Sequence, residues 1–411
     1  MKTRNQIIYS ALIWLAGISA AKAQQRLPLD SVLARVAGNP ALLAYDSKIA
    51  AQDAYATGAK NLDAPKISAG QYQVPYRFNP AGGSFMIAAE QMFTNGAKLQ
   101  AKQNYMQGLS KVTAEDKNYM KNQLIAEAKQ AYYERVVLEK KLNILQSTQS
   151  LFEYMLKDAN IRLTYGKEKL SNIYKAKADL FELDNIREQL NNDIRQKNIL
   201  LNTLMNRSQQ AGFLVDTTVV IRDYEAAITD TAALAASRSD IKSINRNIEL
   251  QQLNAQVENS KRKPDFGIQA GHMFSYGGIA NQYILMGAIT IPILPWTSKE
   301  YKANLKGIQY EVEELQQNKL DILNQAQGQL TGIKAEMGSK KRQLNNYRIN
   351  IIPALQNSYK TALQAYEQNT GDLQPVLDGI KDMQQNKMDA LNRLQELLQL
   401  QVAYEKENEK Y

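Results

Sequence analysis

The chain has 411 residues, a formal net charge of +9, one histidine and no cysteine. The missing cysteine excludes disulfide staples, thiolate metal sites, a thiol nucleophile and an acylated N-terminal cysteine. The charge is mild for this length, and Lys and Glu alternate along helical stretches, so it reads as solvated helix surface and points to no nucleic-acid partner.

Residues 1–23 read as an export signal. Lys2 and Arg4 form the basic start, Ile7 to Ala20 the apolar stretch, and Ala21-Lys22-Ala23 the small-x-small pattern that places cleavage after Ala23. A membrane anchor is the competing reading. The run is short for a span, however, and no stop-transfer flank follows it. Loss of Lys2, Arg4 and Lys22 lowers the formal charge from +9 to +6.

Residues 24–64 form an N-terminal helical segment, with Asn39-Pro40 inside it and Asp63-Ala64-Pro65 at its end. Residues 65–96 hold a first β-hairpin: strands over Lys66–Tyr76 and Ser84–Phe93 flank Asn79-Pro80-Ala81-Gly82-Gly83. Residues 97–205 form a long helical hairpin. No proline lies between Pro80 and Pro264, and apolar residues recur every seven positions at Leu124, Ala131, Leu138, Leu145 and Phe152. That repeat implies left-handed coiled-coil packing. The run from Ala97 to Leu163 would be roughly 100 Å long at ~1.5 Å per residue. The pattern stops at Gly166 and resumes at Ile173, Leu180, Ile194 and Leu201, so the second helix folds back on the first.

Residues 206–263 are an intervening segment ending in a helix before Pro264. Residues 264–295 hold a second β-hairpin, Asp265–Tyr276 and Gln282–Ile293 around Gly277-Gly278-Ile279-Ala280-Asn281. Phe266, Ile268, Ala270, His272 and Phe274 alternate with Asp265, Gly267, Gln269 and Gly271. Residues 296–411 repeat the long helical hairpin, with Leu323, Leu330, Met337, Leu344 and Ile351 as its seam, and add a C-terminal tail. Proline, hairpin, long helix, break and long helix thus occur twice, an internal two-fold repeat of about 200 residues per half.

The fold class is mainly α with a small β part. No stretch after the leader is apolar and long enough for a spanning helix; Tyr283 to Trp296 is short and holds two prolines. If the chain crosses a membrane, it does so with strands, and runs of ~10 residues suit a tilted transmembrane strand. Four strands cannot close a barrel and open edges are not tolerated in lipid, so this reading requires an oligomer. Two soluble hairpins on a small domain are the alternative.

Nothing in the sequence carries chemistry. We expect no catalytic, cofactor-binding or metal site. His272 stands alone, Gly277-Gly278 is a turn with no Gly-Lys-Ser/Thr after it, and acids such as Glu127, Glu134 and Glu188 sit among Lys and Arg as helix-surface partners. The exceptions of interest are the two helix breaks, Arg162-Leu163-Thr164-Tyr165-Gly166 through Leu170, and Tyr366-Glu367-Gln368-Asn369-Thr370-Gly371-Asp372. As local physics each is an αα-turn.

With these residues assembled, the chain resembles the TolC-like outer-membrane factors of tripartite efflux and type I secretion systems. The resemblance runs through Leu29-Asp30-Ser31-Val32-Leu33, Asn39-Pro40-Ala41-Leu42, Gln91-Met92-Phe93-Thr94-Asn95-Gly96-Ala97-Lys98, Ile291-Pro292-Ile293-Leu294, the first tip and Val376-Leu377-Asp378. Asn369 takes the usual glycine place of the second tip, Leu163 stands where an aromatic is common, and Lys175 occupies the first-half counterpart of Asp378.

The resemblance implies a homotrimer in the outer membrane with a long periplasmic extension. Four strands per protomer would make a twelve-stranded β-barrel in outer-membrane lipid. The antiparallel coiled-coil hairpins would make a periplasmic α-barrel, with 206–263 equatorial. It implies a passive conduit without enzymatic activity or cofactor, served by an inner-membrane pump and a periplasmic adaptor (membrane fusion) protein. Adaptor docking and gating would fall on the tips: Arg162, Leu163, Gly166, Leu170, Tyr366, Asn369, Gly371, Asp372 and Asp378. The alternative function is a periplasmic or surface coiled-coil protein without a pore.

Overall fold

The computed structural model describes residues 26–77, 82–227, 230–292 and 294–409. The leader with Ala21 and Ala23, the turn residues Asn79, Pro80 and Ala81, and Ile293 lie outside them. In chain order the elements are β1 (Arg26–Leu27), α1 (Leu29–Val36), α2 (Pro40–Gly58), β2 (Lys66–Tyr72), β3 (Ser84–Phe93), α3 (Gly96–Thr164) and α4 (Leu170–Leu204). They continue with β4 (Leu214–Val215), α5 (Thr231–Ser237), α6 (Ser239–Ser260), β5 (Asp265–Ser275), β6 (Gln282–Thr290) and α7 (Pro295–Asn346). A π-helical turn (Tyr347–Ile351), α8 (Ile352–Glu367) and α9 (Leu373–Asn408) complete the chain.

Two compact units divide these elements. One comprises Ala41–Met120 and Asp230–Gln327, and the other comprises the remaining described residues. The long helices α3 and α7 contribute to both.

The first unit is organised by an antiparallel sheet of order β2-β3-β5-β6. Three strands stop short of the expected ends, β5 by one residue at Ser275 and β2 and β6 by more. β2 ends at Tyr72 because Gln73 turns left-handed (φ 56°) and Pro75 has no N–H to give to the ladder. β6 ends at Thr290, two residues before Pro292 removes another donor. The register sets Phe93, Phe266 and Ile289 side by side, then Ile268 beside Gly287, Ala89–Ala270–Leu285, Ile87–His272–Tyr283 and Phe85–Phe274. One face is therefore apolar apart from Gln71, Gln91 and His272.

Glycine shapes the opposite face. A Cβ at Gly267 would lie 2.4 Å from the Met92 sulfur, and one at Gly271 would lie 2.8 Å from Ile284 Cγ2. At Gly267 a Cβ would force the flexible Met92 side chain to move, whereas at Gly271 it would also crowd Ala88 Cβ (3.1 Å) and Ile87 O (3.2 Å), a close approach that suits glycine. Among the helices of this unit, Gly108 of α3 similarly admits Leu250 and Leu253 of α6, and Asp116 accepts a 2.6 Å hydrogen bond from the Ser243 hydroxyl.

The second unit is helical, with two apolar clusters. The seam residues expected from the seven-residue spacing are its core: Leu138, Leu145 and Phe152 of α3 pack with Ile173, Leu183 and Leu190 of α4 and with Leu373, Val376, Leu377 and Ile380 of α9. The other cluster gathers Leu27, Val32 and Val36 against Ala128, Tyr132 and Val136 of α3, Leu201 and Leu204 of α4, and Phe213 and Val215. There β1 pairs in parallel with β4, and the buried Tyr132 hydroxyl clasps both, donating to Leu27 O (3.0 Å) and accepting from Asp216 N–H (2.9 Å). The π turn before α8 follows from Pro353. Proline offers no N–H to the carbonyl four residues earlier and its ring crowds it, so the helix widens there and Ile352 N–H bonds to Tyr347 O.

Candidate functional site

Both helix breaks close by the same turn. At the first, Lys167 N–H reaches Arg162 O (3.0 Å) and Gly166 N–H reaches Leu163 O (3.0 Å). At the second, Thr370 N–H reaches Ala365 O (2.9 Å) and Asn369 N–H reaches Tyr366 O (3.1 Å). This is the six-to-one, five-to-two pattern of a Schellman cap, which requires a left-handed residue just past the helix. Gly166 (φ 70°) and Asn369 (φ 58°) supply it. Gly371 does not; it lies two residues further along, where a Cβ would meet Ala365 Cβ at 3.0 Å.

The two tips meet at Arg162. Its Nε donates to Asp158 Oδ2 (2.7 Å), and one terminal nitrogen donates to Tyr366 O (3.0 Å) and to Asn369 Oδ1 (2.9 Å). Its guanidinium lies 4.2 Å from the centre of the Tyr366 ring. Asn369 thus does what glycine in its place could not: it takes the left-handed turn and also offers an acceptor to the other tip. Tyr366 is buried. Its phenol pKa is pushed far up, first by burial and then by the Asp158 charge, whose carboxylate stands near the hydroxyl but outside hydrogen-bond geometry.

A cleft of about 390 Å³ opens between the tips, lined by Arg162, Gly166 and Lys169 on one side and Tyr366, Asn369 and Asp372 on the other. Leu170 is half exposed, whereas Leu163 packs against the apolar cluster of the hairpins. Asp378 is exposed and accepts from Gln374 Nε2 (2.6 Å), and Lys175 is exposed on α4. One turn further along α9, Lys381 bridges to the buried Asp179 (2.5 Å). Sequence reasoning passed over Asp158 and Tyr165. Asp158 was visible in the i,i+4 spacing to Arg162; Tyr165, three-quarters exposed at the turn itself, carried no pattern.

The sheet offers the second surface. Ile67, Phe266, Ile268, Phe274, Leu285 and Ile289 are each roughly half exposed or more, all on the apolar face. Exposed aromatic residues flank it, Tyr76 and Tyr283 toward one end and Trp296 beyond the other. Among the described residues, no helix is long and apolar enough to cross a membrane, and no group of three or more His, Asp or Glu could hold a metal ion.

No protein-family model matches the sequence, and no curated protein matches it. Solved structures do. The outer-membrane channel OprN superposes with a TM-score of 0.73 at 16% identity, covering 93% of this chain and 90% of that one. The outer-membrane protein VceC from Vibrio cholerae gives 0.73 at 14% identity over 92% and 95%. The CmeC outer-membrane channel of Campylobacter jejuni gives 0.72 at 14% over 92% and 85%. At these identities the match speaks for architecture, and the architecture is that of the TolC-like outer-membrane channels.

Proposed function

We propose that the chain is the outer-membrane channel of a tripartite efflux or type I secretion system, a passive conduit whose cargo is driven by an inner-membrane pump through a periplasmic adaptor. The observation that carries this reading is the sheet. It has one exposed apolar face, strands of 7 to 11 residues, aromatic residues at both ends, and two edge strands, β2 and β6, whose outer edges meet no strand among the described residues. A face of that kind suits hydrocarbon, and the free edges demand closure in lipid. Three copies would join β6 to β2 and close twelve strands, with 65–96 and 264–295 in the membrane and the hairpins of 97–205 and 296–411 in the periplasm.

The tips would dock the adaptor and control opening. Leu170, Tyr165 and Asp372 are among the exposed groups there, while Arg162, Asn369 and Tyr366 hold the two tips of one protomer together. The test is to express the full chain with its leader, fractionate the envelope and measure conductance in planar bilayers. A trimer that dissociates only on heating, in the outer-membrane fraction and conducting, is the expected result. A soluble periplasmic protein without conductance would overturn the proposal and favour the pore-less coiled-coil alternative.

A further inference from the structure

We propose that the groove between the first turns of α3 and the last turn of α6 binds the phosphodiester headgroup of an anionic phospholipid at the membrane surface, an inference that rests on the strand unit lying in a membrane. The groove measures about 270 Å³, and Arg262 and Lys263 stand on its rim. Both are exposed, and neither has a carboxylate within ion-pair distance among the described residues; the neighbouring acids are already taken, Asp265 by Lys98 (2.6 Å) and Glu258 by Lys261 (2.7 Å). Amides also line the groove, Gln100, Asn104, Gln256 and Asn259. Gln100 Nε2 donates to Asn104 Oδ1 (2.8 Å), and the NH₂ groups of Asn104 and Asn259 make no hydrogen bond among the described residues. A guanidinium, an ammonium and amide donors around one concavity are the groups that hold a phosphodiester.

Position argues for a lipid rather than a free anion. Only Pro264 separates Lys263 from β5, and α3 begins three residues after β3 ends. The groove therefore lies within one turn of the strand ends. The two ends of the sheet also differ in charge. Lys60, Lys66, Lys98, Lys102, Lys261, Arg262 and Lys263 lie in the segments at this end against the acids Asp63, Glu90, Glu258 and Asp265, a net of +3, and Arg77 is the lone charge of the connecting loops at the other. The exposed Trp296 follows β6 at the same end, the depth at which indole rings settle in a bilayer. The fold of the C-terminal turn of α6 accounts for some basic residues there, but not for the amide-lined hollow beside them.

The experiment uses the full-length protein purified as a trimer in neutral detergent, titrated with phosphatidylglycerol, phosphatidylcholine or inorganic phosphate and read by native mass spectrometry. Phosphatidylglycerol should bind saturably, and phosphatidylcholine and phosphate should not. The double change Arg262→Ala, Lys263→Ala should weaken phosphatidylglycerol roughly thirtyfold, since each cation near an anionic surface is worth about 1 kcal/mol. Arg262→Lys with Lys263→Arg should retain most of the binding. Equal affinity in wild type and alanine variant overturns the lipid site while leaving the channel reading intact, because the trimer is already in hand. Competition by inorganic phosphate as strong as by the lipid overturns it in favour of a free-anion site. Failure to obtain any trimer would instead count against the channel reading itself.

Discussion

Ile268 and Gln269 are neighbours on β5 that face opposite sides of the sheet, and they separate the lipid-facing reading from its inverse. Ile268 is the fourth of eleven residues in its strand, two from the centre, so in the proposed barrel, at ~3.3 Å per residue and a tilt of about 45°, it would lie roughly 5 Å from the bilayer midplane. An arginine on the lipid side costs about 2–4 kcal/mol at the midplane and less toward the interfaces. At this depth the cost is about 2–3 kcal/mol per chain, and three chains bring it to about 6–9 kcal/mol, comparable with the whole stability of a folded domain. Gln269 lies opposite Glu90 and Met286, so Gln269→Arg gains a carboxylate neighbour and leaves the lipid side untouched. Expressed side by side and assayed as heat-modifiable trimer in outer-membrane fractions, Ile268→Arg should reduce yield at least tenfold while Gln269→Arg stays within twofold of wild type. Equal yields would refute the membrane assignment of the sheet. A loss confined to Gln269→Arg would mean that the faces are inverted.

Gly166→Val places a β-branched residue at φ 70° with open space around it, so it strains the turn by about 1–2 kcal/mol without a clash. The trimer should still assemble, and transport and crosslinking to the cognate adaptor should fall; unchanged transport would remove the tip from the mechanism. Leu170→Asp should give the same split, whereas Leu163→Asp should also reduce trimer yield because Leu163 is part of the core. Glu405 is buried and accepts from Lys129 (2.6 Å) and the Tyr224 hydroxyl (2.9 Å). Glu405→Ala removes the buried carboxylate that Lys129, Arg222 and the Tyr224 hydroxyl share and should cost about 3–5 kcal/mol, read as faster proteolysis or a lower Tm, while the pair Lys129→Met, Glu405→Leu should restore part of it. A single variant as stable as wild type would show that water reaches Lys129.

Much of the fold was legible because its signals are long. The seven-residue spacing without proline placed the first long helix at 97–163, and the helix spans Gly96–Thr164. The strands were found from alternation and turn residues, with ends misjudged where a left-handed Gln73 and Pro292 stop the ladder. The parallel pair β1–β4 was invisible, since two-residue strands have no period to detect. The tips were legible as breaks, and Asn369 was correctly assigned the left-handed turn. That Arg162 spends its donors on the opposite tip could not be read, because the partners lie on hairpins far apart in sequence and only packing brings them together. Alternation likewise grouped the residues of each strand face but could not say which face stays uncovered.

The two unpaired sheet edges have a kinetic consequence for biogenesis. A lone protomer carries an apolar face and two rows of unmet backbone donors and acceptors, with no low-energy place in water or in lipid. In the proposed trimer closure needs three chains at once, so the rate of maturation should rise more steeply than linearly with synthesis. Nascent copies should depend on a holding factor that shields the strands of 66–93 and 265–290 until partners arrive. Overproduction without that factor should pair edge to edge in the wrong stoichiometry, yielding open-ended aggregates in place of closed rings.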